Sequence, residues 1–180
     1  VVEEWATTLK VVTDLFEPGS IFKTVAAMAI LENEVLTPDD EIFCPAELAA
    51  DEYFISDAHE RGDATFTFRE ILDQSSNVGI SLSTELLGFD KFYDAIIRYN
   101  LHSDTGVDFP GEGEVGTDIL GMMKSFDTWS KMDGYSASFG QGISITALQI
   151  ARFYGAIVNN GVECTPHFLI SYPQTGEVVE

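Results

Sequence analysis

The chain carries 30 Asp plus Glu against 9 Lys plus Arg over 180 residues, a formal charge of −21. That balance excludes nucleic acid, whose phosphates need clustered Lys and Arg, and equally a peripheral site on an anionic membrane surface. With 45% hydrophobic and 12% aromatic residues the chain is still one that folds, and its length is that of a single domain.

In chain order, VVEEWATTLK at residues 1–10 lacks the charged and then apolar pattern of a signal peptide. No apolar run approaches the roughly 20 residues needed to span a bilayer. The first strong helix follows EPGS at Glu17 to Ser20. Ile21, Phe22, Val25, Ala26, Ala29 and Ile30 recur there at helical spacing, with no Pro or Gly before Pro38. From Asn33 to Ala64 periodicity is poor and Asp, Glu and Pro are frequent, which reads as a long excursion with short elements. Thr67-Phe68-Arg69-Glu70 has capping-box spacing and opens a short helix carrying Phe68, Ile71 and Leu72. A further helix runs from about Val78 to Leu87 and stops at Gly88. Phe89, Phe92, Tyr93, Ile96 and Ile97 stripe the next one. His102 to Gly116 reads as loop. Thr146-Ala147-Leu148-Gln149 is a second capping box, whose helix ends near Asn159-Asn160-Gly161, and the tail PHFLISYPQTGEVVE reads as strand, turn, strand. The expected fold class is mainly α with a small C-terminal β element.

Three tempting motifs carry no chemistry. Gly111-Glu112-Gly113-Glu114-Val115-Gly116 spells a dinucleotide loop, but it follows Pro110 rather than a strand, and its carboxylates would repel phosphate. His59, His102 and His167 lie far apart and read as surface or core residues. Cys44 and Cys164 have no ligand-spaced neighbours, so metal is not expected; free thiols or one disulfide both remain open.

The informative pattern is Ser20-Ile21-Phe22-Lys23. On a helix, positions i and i+3 share a face, so the lysine amine can lie beside the serine hydroxyl and take its proton. Gly19 permits a tight entry, with Ser20 at a helix N-terminus where backbone N–H groups favour a developing oxyanion. With 13 Ser and 5 Lys, chance supplies about 0.4 such spacings, and Ser75-Ser76-Asn77 is equally cheap with 5 Asn. Context must decide.

EPGSIFK, DQSSNVG and SFGQGISITALQIA in that order resemble the transpeptidase domain of class B penicillin-binding proteins. Val12-Thr13-Asp14, the FPGE of Phe109 to Glu112, and NNGVECTPHFL fit the same family, so the resemblance covers nearly the whole chain. It implies that Ser20 is an acylated nucleophile, Lys23 its proton acceptor, Ser75 the relay to the leaving amine, and Asn77 a binder of the substrate's peptide amide. It also implies peptidoglycan stem peptides as substrates, covalent capture by β-lactam antibiotics, and no metal or cofactor. The expected setting is the outer face of a bacterial cell membrane, through an N-terminal anchor not present in this chain, with other cell-wall synthesis or division proteins as partners. EPGS and SFGQG look more like the cell-division branch than the elongation branch.

The sequence departs from the family's pattern at several points. Ile21 stands where Thr is usual, Ala58 stands where a Trp often precedes the histidine, and Ala147 replaces the proline of TPLQ. None of Lys10, Lys23, Lys91, Lys124 and Lys131 begins the family's third motif, Lys-Thr-Gly. The expectation is therefore a partial domain over residues 1–180: the helical part of the α+β penicillin-binding/serine β-lactamase-like fold, lacking much of its central sheet. Such a piece should be inactive alone and should self-associate through its uncovered apolar face. Two alternatives stand beside this reading. One is a serine β-lactamase or β-lactam sensor, disfavoured because those with a Pro-x-Ser-x-x-Lys entry usually carry Ser-x-Val. The other is a catalytically silent cell-wall scaffold module.

Overall fold

The computed structural model describes residues 9–109, 112 and 123–169. Its centre is helix α2, Lys23–Glu32, entered through a 3-10 turn at Gly19–Phe22. The α2 sequence KTVAAMAILE is apolar almost all round, and Val25, Ala26, Ala27, Ala29 and Ile30 are buried. A helix of that composition must be covered on every side. Its neighbours are α4 (Asn77–Leu87), α5 (Phe89–Arg98) and α6 (Lys131–Ser138). Ile21 departs from the sequence reading. It sits in the 3-10 turn rather than on the core face of the helix and is 44% exposed.

Helix α4 is also enclosed, and its buried residues include Gly79, Ser81, Ser83 and Thr84. Ser83 and Thr84 hydroxyls donate back to the Gly79 and Ile80 carbonyls, both at 2.8 Å, so no outside partner is needed. On α5 the apolar stripe holds as expected. Phe92, Ala95 and Ile96 are buried, Phe89, Tyr93 and Ile97 pack against them, and Phe92 meets Phe22 edge-on at 6.5 Å.

The capping boxes set three boundaries. Thr67 and Glu70 open α3 (Phe68–Asp73), and Thr146 and Gln149 open α7 (Ala147–Val158), both as the spacing predicts. Ser130 and Asp133 form a third box opening α6, a helix the sequence reading did not place. Its hydrophobic pattern is weak because Lys131, Asp133 and Gly134 interrupt it, and Gly134 itself lets the Phe89 ring approach. A one-turn helix, α1 (Lys10–Thr13), was likewise too short to show a period.

Among the described residues, strands pair into three two-stranded antiparallel ribbons. β1 (Leu15–Phe16) pairs with β6 (Ile145–Thr146), β2 (Glu41–Cys44) with β5 (Ala64–Thr67), and β3 (Glu47–Ala50) with β4 (Tyr53–Ser56). The regular elements along the long excursion are thus short β-strands, with Cys44 opposite Ala64 and Ala50 opposite Tyr53. The C-terminal β element was expected over residues 166–180. Most of it lies outside the described residues, as do residues 1–8 and all of the 111–116 run except Glu112. Glu112 accepts hydrogen bonds from the Thr105 hydroxyl and the Gly106 and Val107 amides, so it is tied to its own loop. Cys44 is buried and Cys164 exposed, both as free thiols.

Two segments far apart in sequence meet at the start of the 3-10 turn. The Gly19 amide donates to the Gly140 carbonyl at 2.9 Å, and the Gly142 amide donates to Glu17 Oε1 at 2.8 Å. Gly140 has φ +78°, and a Cβ there would sit 2.3 Å from the Gly19 carbonyl oxygen. The SFGQG stretch therefore keeps its first glycine for two independent reasons. Gly140→Ala is expected to cost about 2–4 kcal/mol, combining left-handed strain with backbone overlap. Chemical denaturation checks this; a loss below about 0.5 kcal/mol would show that the contact is not required.

Candidate active site

Ser20 lies in the 3-10 turn one residue after Gly19, whose φ of +60° makes the sharp entry. The turn leaves the Ser20 side chain exposed while Lys23, three residues on, is buried at 3% exposure. Lys23 Nζ donates to Ser20 Oγ at 3.1 Å, as the shared helical face predicts. It also reaches across to the turn between α3 and α4, where it meets the Ser75 carbonyl at 2.5 Å and Ser75 Oγ at 2.8 Å. Ser75 has φ +53°, a left-handed conformation uncommon for a residue with a side chain. That conformation turns both of its oxygens toward one amine. An amine with three donors and three oxygen acceptors is fully used.

The cost of placing an amine here shows in its basicity. Burial pushes Lys23 down from its usual 10.5 to about 8, against the opposing pull of the Asp57 carboxylate. Roughly a tenth of the amine is then neutral at pH 7 and able to accept a proton, far more than at the usual value.

Asn77, the first residue of α4, lines the same cleft and donates from Nδ2 to the Ser56 carbonyl at 3.1 Å. Ser76 between them is buried and caps α4 by accepting from the Gly79 amide at 2.9 Å. Its hydroxyl proton goes to Asp57, 3.0 Å from each carboxylate oxygen. Asp57 also accepts from the Val78 amide at 3.0 Å and from Arg61 Nε at 2.6 Å. Burial alone would raise the Asp57 carboxyl, but the Val78, Arg61 and Ser76 hydrogen bonds outweigh it and hold it below the usual range.

Ser20, Asp57, Ala58, His59, Arg61, Phe66, Gln74, Ser75 and Asn77 enclose a cleft of about 280 Å³. All four residues singled out in the sequence meet around it: Ser20, Ser75 and Asn77 on its wall and Lys23 behind Ser20 and Ser75. Asp57, Arg61 and Phe66 were not singled out. Asp57 lies 19 residues before Ser76, so no local spacing links them. The one sequence cue is the i,i+4 pairing of Asp57 with Arg61, in a stretch that forms no helix. His59 is exposed at the cleft's edge, while His102 and His167 are not among its lining residues.

On the other side of the Ser20 turn, Tyr154 of α7 lies within 2.8 Å of both the Ile21 carbonyl and Thr24 Oγ1. A phenol has one proton to give, so Tyr154 donates to the carbonyl and accepts from the threonine. The turn is thereby held from three directions: by Tyr154, by Gly140 and by Lys23.

A serine beside a buried amine of lowered basicity, with a second serine on the amine's far side, is an arrangement that serine acyl-transfer chemistry can use. The penicillin binding protein transpeptidase domain matches residues 3–178, and the chain belongs to that family. Among proteins it resembles are penicillin-binding protein PbpB of Mycobacterium tuberculosis, 34% identical over 158 residues, and peptidoglycan D,D-transpeptidase FtsI of Escherichia coli K12, 28% identical over 153 residues. These alignments cover 88% and 85% of this chain but 22% and 24% of the relatives, so it spans about a quarter of their length. The fold agrees. A structure of penicillin binding protein 3 from M. tuberculosis complexed with ampicillin superposes with a TM-score of 0.83 at 32% identity, covering 95% of this chain and 37% of that one. A peptidoglycan glycosyltransferase structure from Atopobium parvulum gives a TM-score of 0.88 at 33% identity, covering 99% and 41%.

The electrostatics yield a direct test. With 13C at the lysine Cε, the Lys23 resonance should titrate with a midpoint about 8. Asp57→Asn removes the one opposing charge, so the midpoint should move lower still; a rise, or an unperturbed midpoint near 10.5, would contradict the assigned burial.

Proposed function

We propose that residues 1–180 are the helical part of the transpeptidase domain of a peptidoglycan D,D-transpeptidase, with Ser20 as its acylated nucleophile. The observation that carries this reading is the placement of Lys23 Nζ between two serine hydroxyls, at 3.1 Å from Ser20 and 2.8 Å from Ser75.

In this reading Lys23 is neutral when substrate arrives. Ser20 Oγ attacks the carbonyl of a terminal D-Ala-D-Ala bond, and its proton passes to Lys23 Nζ. The carbonyl oxygen takes the negative charge beside the Ser20 N–H, which belongs to a first turn whose N–H groups lack intrahelical partners. Lys23 returns the proton through Ser75 to the departing D-Ala nitrogen as the C–N bond breaks, leaving an ester on Ser20. The amine of a neighbouring stem peptide then attacks that ester, and the released proton runs back along the same path. Asn77, anchored on Ser56, hydrogen-bonds the backbone amide of the bound peptide. No metal or cofactor enters any step.

A β-lactam has the same reacting amide in a ring, so its amine cannot leave and the ester persists. The ampicillin and aztreonam complexes of the M. tuberculosis relative support this class of ligand. Stem peptides are displayed outside the cytoplasmic membrane, so the reading places the site there, held by an anchor elsewhere in the protein. None of the chain's helices is long and apolar enough to cross a membrane, among the described residues. Lys-Thr-Gly does not occur in this sequence. In the family that motif supports the second oxyanion donor, and losing one such donor costs about 100- to 1,000-fold in rate.

Mass spectrometry after incubation with a reactive penicillin tests the reading. The full-length protein containing this chain should gain one adduct, mapped to Ser20 and abolished by Ser20→Ala. Its rate should rise with pH through about 8 as Lys23 loses its proton. Lys23→Ala should slow it about 100- to 10,000-fold, the range of general base catalysis. The isolated chain should acylate at least about 100-fold more slowly than the full-length protein. An adduct elsewhere, or none on the full-length protein, would sink the proposal.

A further inference from the structure

The Asp57–Arg61 pair has no part in the proton path above, yet it is the best-connected group beside it. Its two side chains are 11% and 18% exposed. A pair so withdrawn from water gains little net stability over well-packed apolar residues, so its retention calls for an orienting reason. Arg61 supplies one. Nε holds Asp57 Oδ2 at 2.6 Å, and Nη1 donates to the Cys44 carbonyl at the end of β2 and to the Gly62 carbonyl, both at 2.9 Å. The guanidinium lies over the Phe66 ring of β5, 5.2 Å from its centroid. Arg61 is thus fastened to both strands of one ribbon, and its Nε–H fixes the rotamer of Asp57, while its buried Nη2 has no partner among the described residues. With Oδ2 held, Oδ1 is directed at the Val78 amide while both oxygens receive Ser76. Ser75 and Asn77 flank Ser76 directly, and Ser75 carries two of the three oxygens around Lys23 Nζ.

We propose that Arg61 is a positioning residue for acyl transfer. Acting through Asp57, it locks the Ser75-Ser76-Asn77 turn to the β2–β5 ribbon and so sets Ser75 against Lys23. The inference rests on the reading of Ser20, Lys23 and Ser75 given above. Lysine cannot replace it. A single ammonium can pair with Asp57, but it cannot also reach the Cys44 carbonyl and lie flat on Phe66.

The test measures acylation of the full-length protein by a chromogenic β-lactam, separating the binding constant from the first-order acylation constant. Arg61→Lys keeps the charge and should leave the melting temperature within a few degrees, while the acylation constant falls about 10-fold. In a Ser75→Ala background the same substitution should cost less than about 2-fold, because the group it positions is gone. A merely structural loss would appear equally in both backgrounds. Should Arg61→Lys fail to fold, Phe66→Leu removes the surface beneath the guanidinium and should show the same dependence on Ser75 at about 3-fold. Acylation unchanged in Arg61→Lys, or an equal loss with and without Ser75, overturns this inference and leaves the functional reading intact. A wild-type protein that forms no adduct overturns both.

Discussion

One amine is buried where an amine is least comfortable, and much of the surrounding structure exists to keep it there. Lys23 is among the buried residues of a mostly apolar helix, and its Nζ finds its partners at the cleft end, on Ser20 and Ser75. An ammonium in that position is penalised by lost hydration, and that penalty lowers the amine's basicity to about 8. Its acceptors come from two separate turns. The position of α4 relative to α2, and with it the packing of the helical core, therefore fixes the chemistry as well as the stability.

That dependence explains the rigid supports on both turns. The Ser20 turn is held by the Gly140 carbonyl and the Tyr154 phenol, and the Ser75 turn by the left-handed Ser75 backbone and the Asp57 carboxylate. Each support is short in reach. Left-handed conformations of residues with side chains persist only where neighbours over-determine them. At Ser75 the neighbours are Ser76, buried and bonded to Asp57, and Gln74, the last residue of the turn closing α3.

How far the sequence could be read follows from the range of each interaction. Helix ends set by contacts three residues apart were legible, as at Thr67/Glu70 and Thr146/Gln149. The Ser20/Lys23 face was legible for the same reason. Ser130/Asp133 uses an aspartate in the reciprocal position where Glu or Gln is the usual signal, and α6 was missed with it. The ribbons of the excursion were not visible because their pairing is non-local: Cys44 faces Ala64, and the strands are only four residues long. Asp57 was hidden for the same reason, since it meets Ser76 and Val78 across 19 and 21 residues. The resemblance picked out Ser20, Lys23, Ser75 and Asn77, which meet at one cleft, by their flanking words, but a support residue without a local partner has no such word.

The meeting of Gly19 with Gly140 sets an order on the life of the molecule. A chain emerging from the ribosome exposes the Ser20 segment long before residue 140 exists, and that contact joins residues 121 positions apart. The helix that carries Lys23 can form early from local contacts, but the entry to its first turn waits for a strand of backbone made much later. The turn that carries Ser20 thus gains its backbone anchor only after the segment around residue 140 has been made and has folded against it.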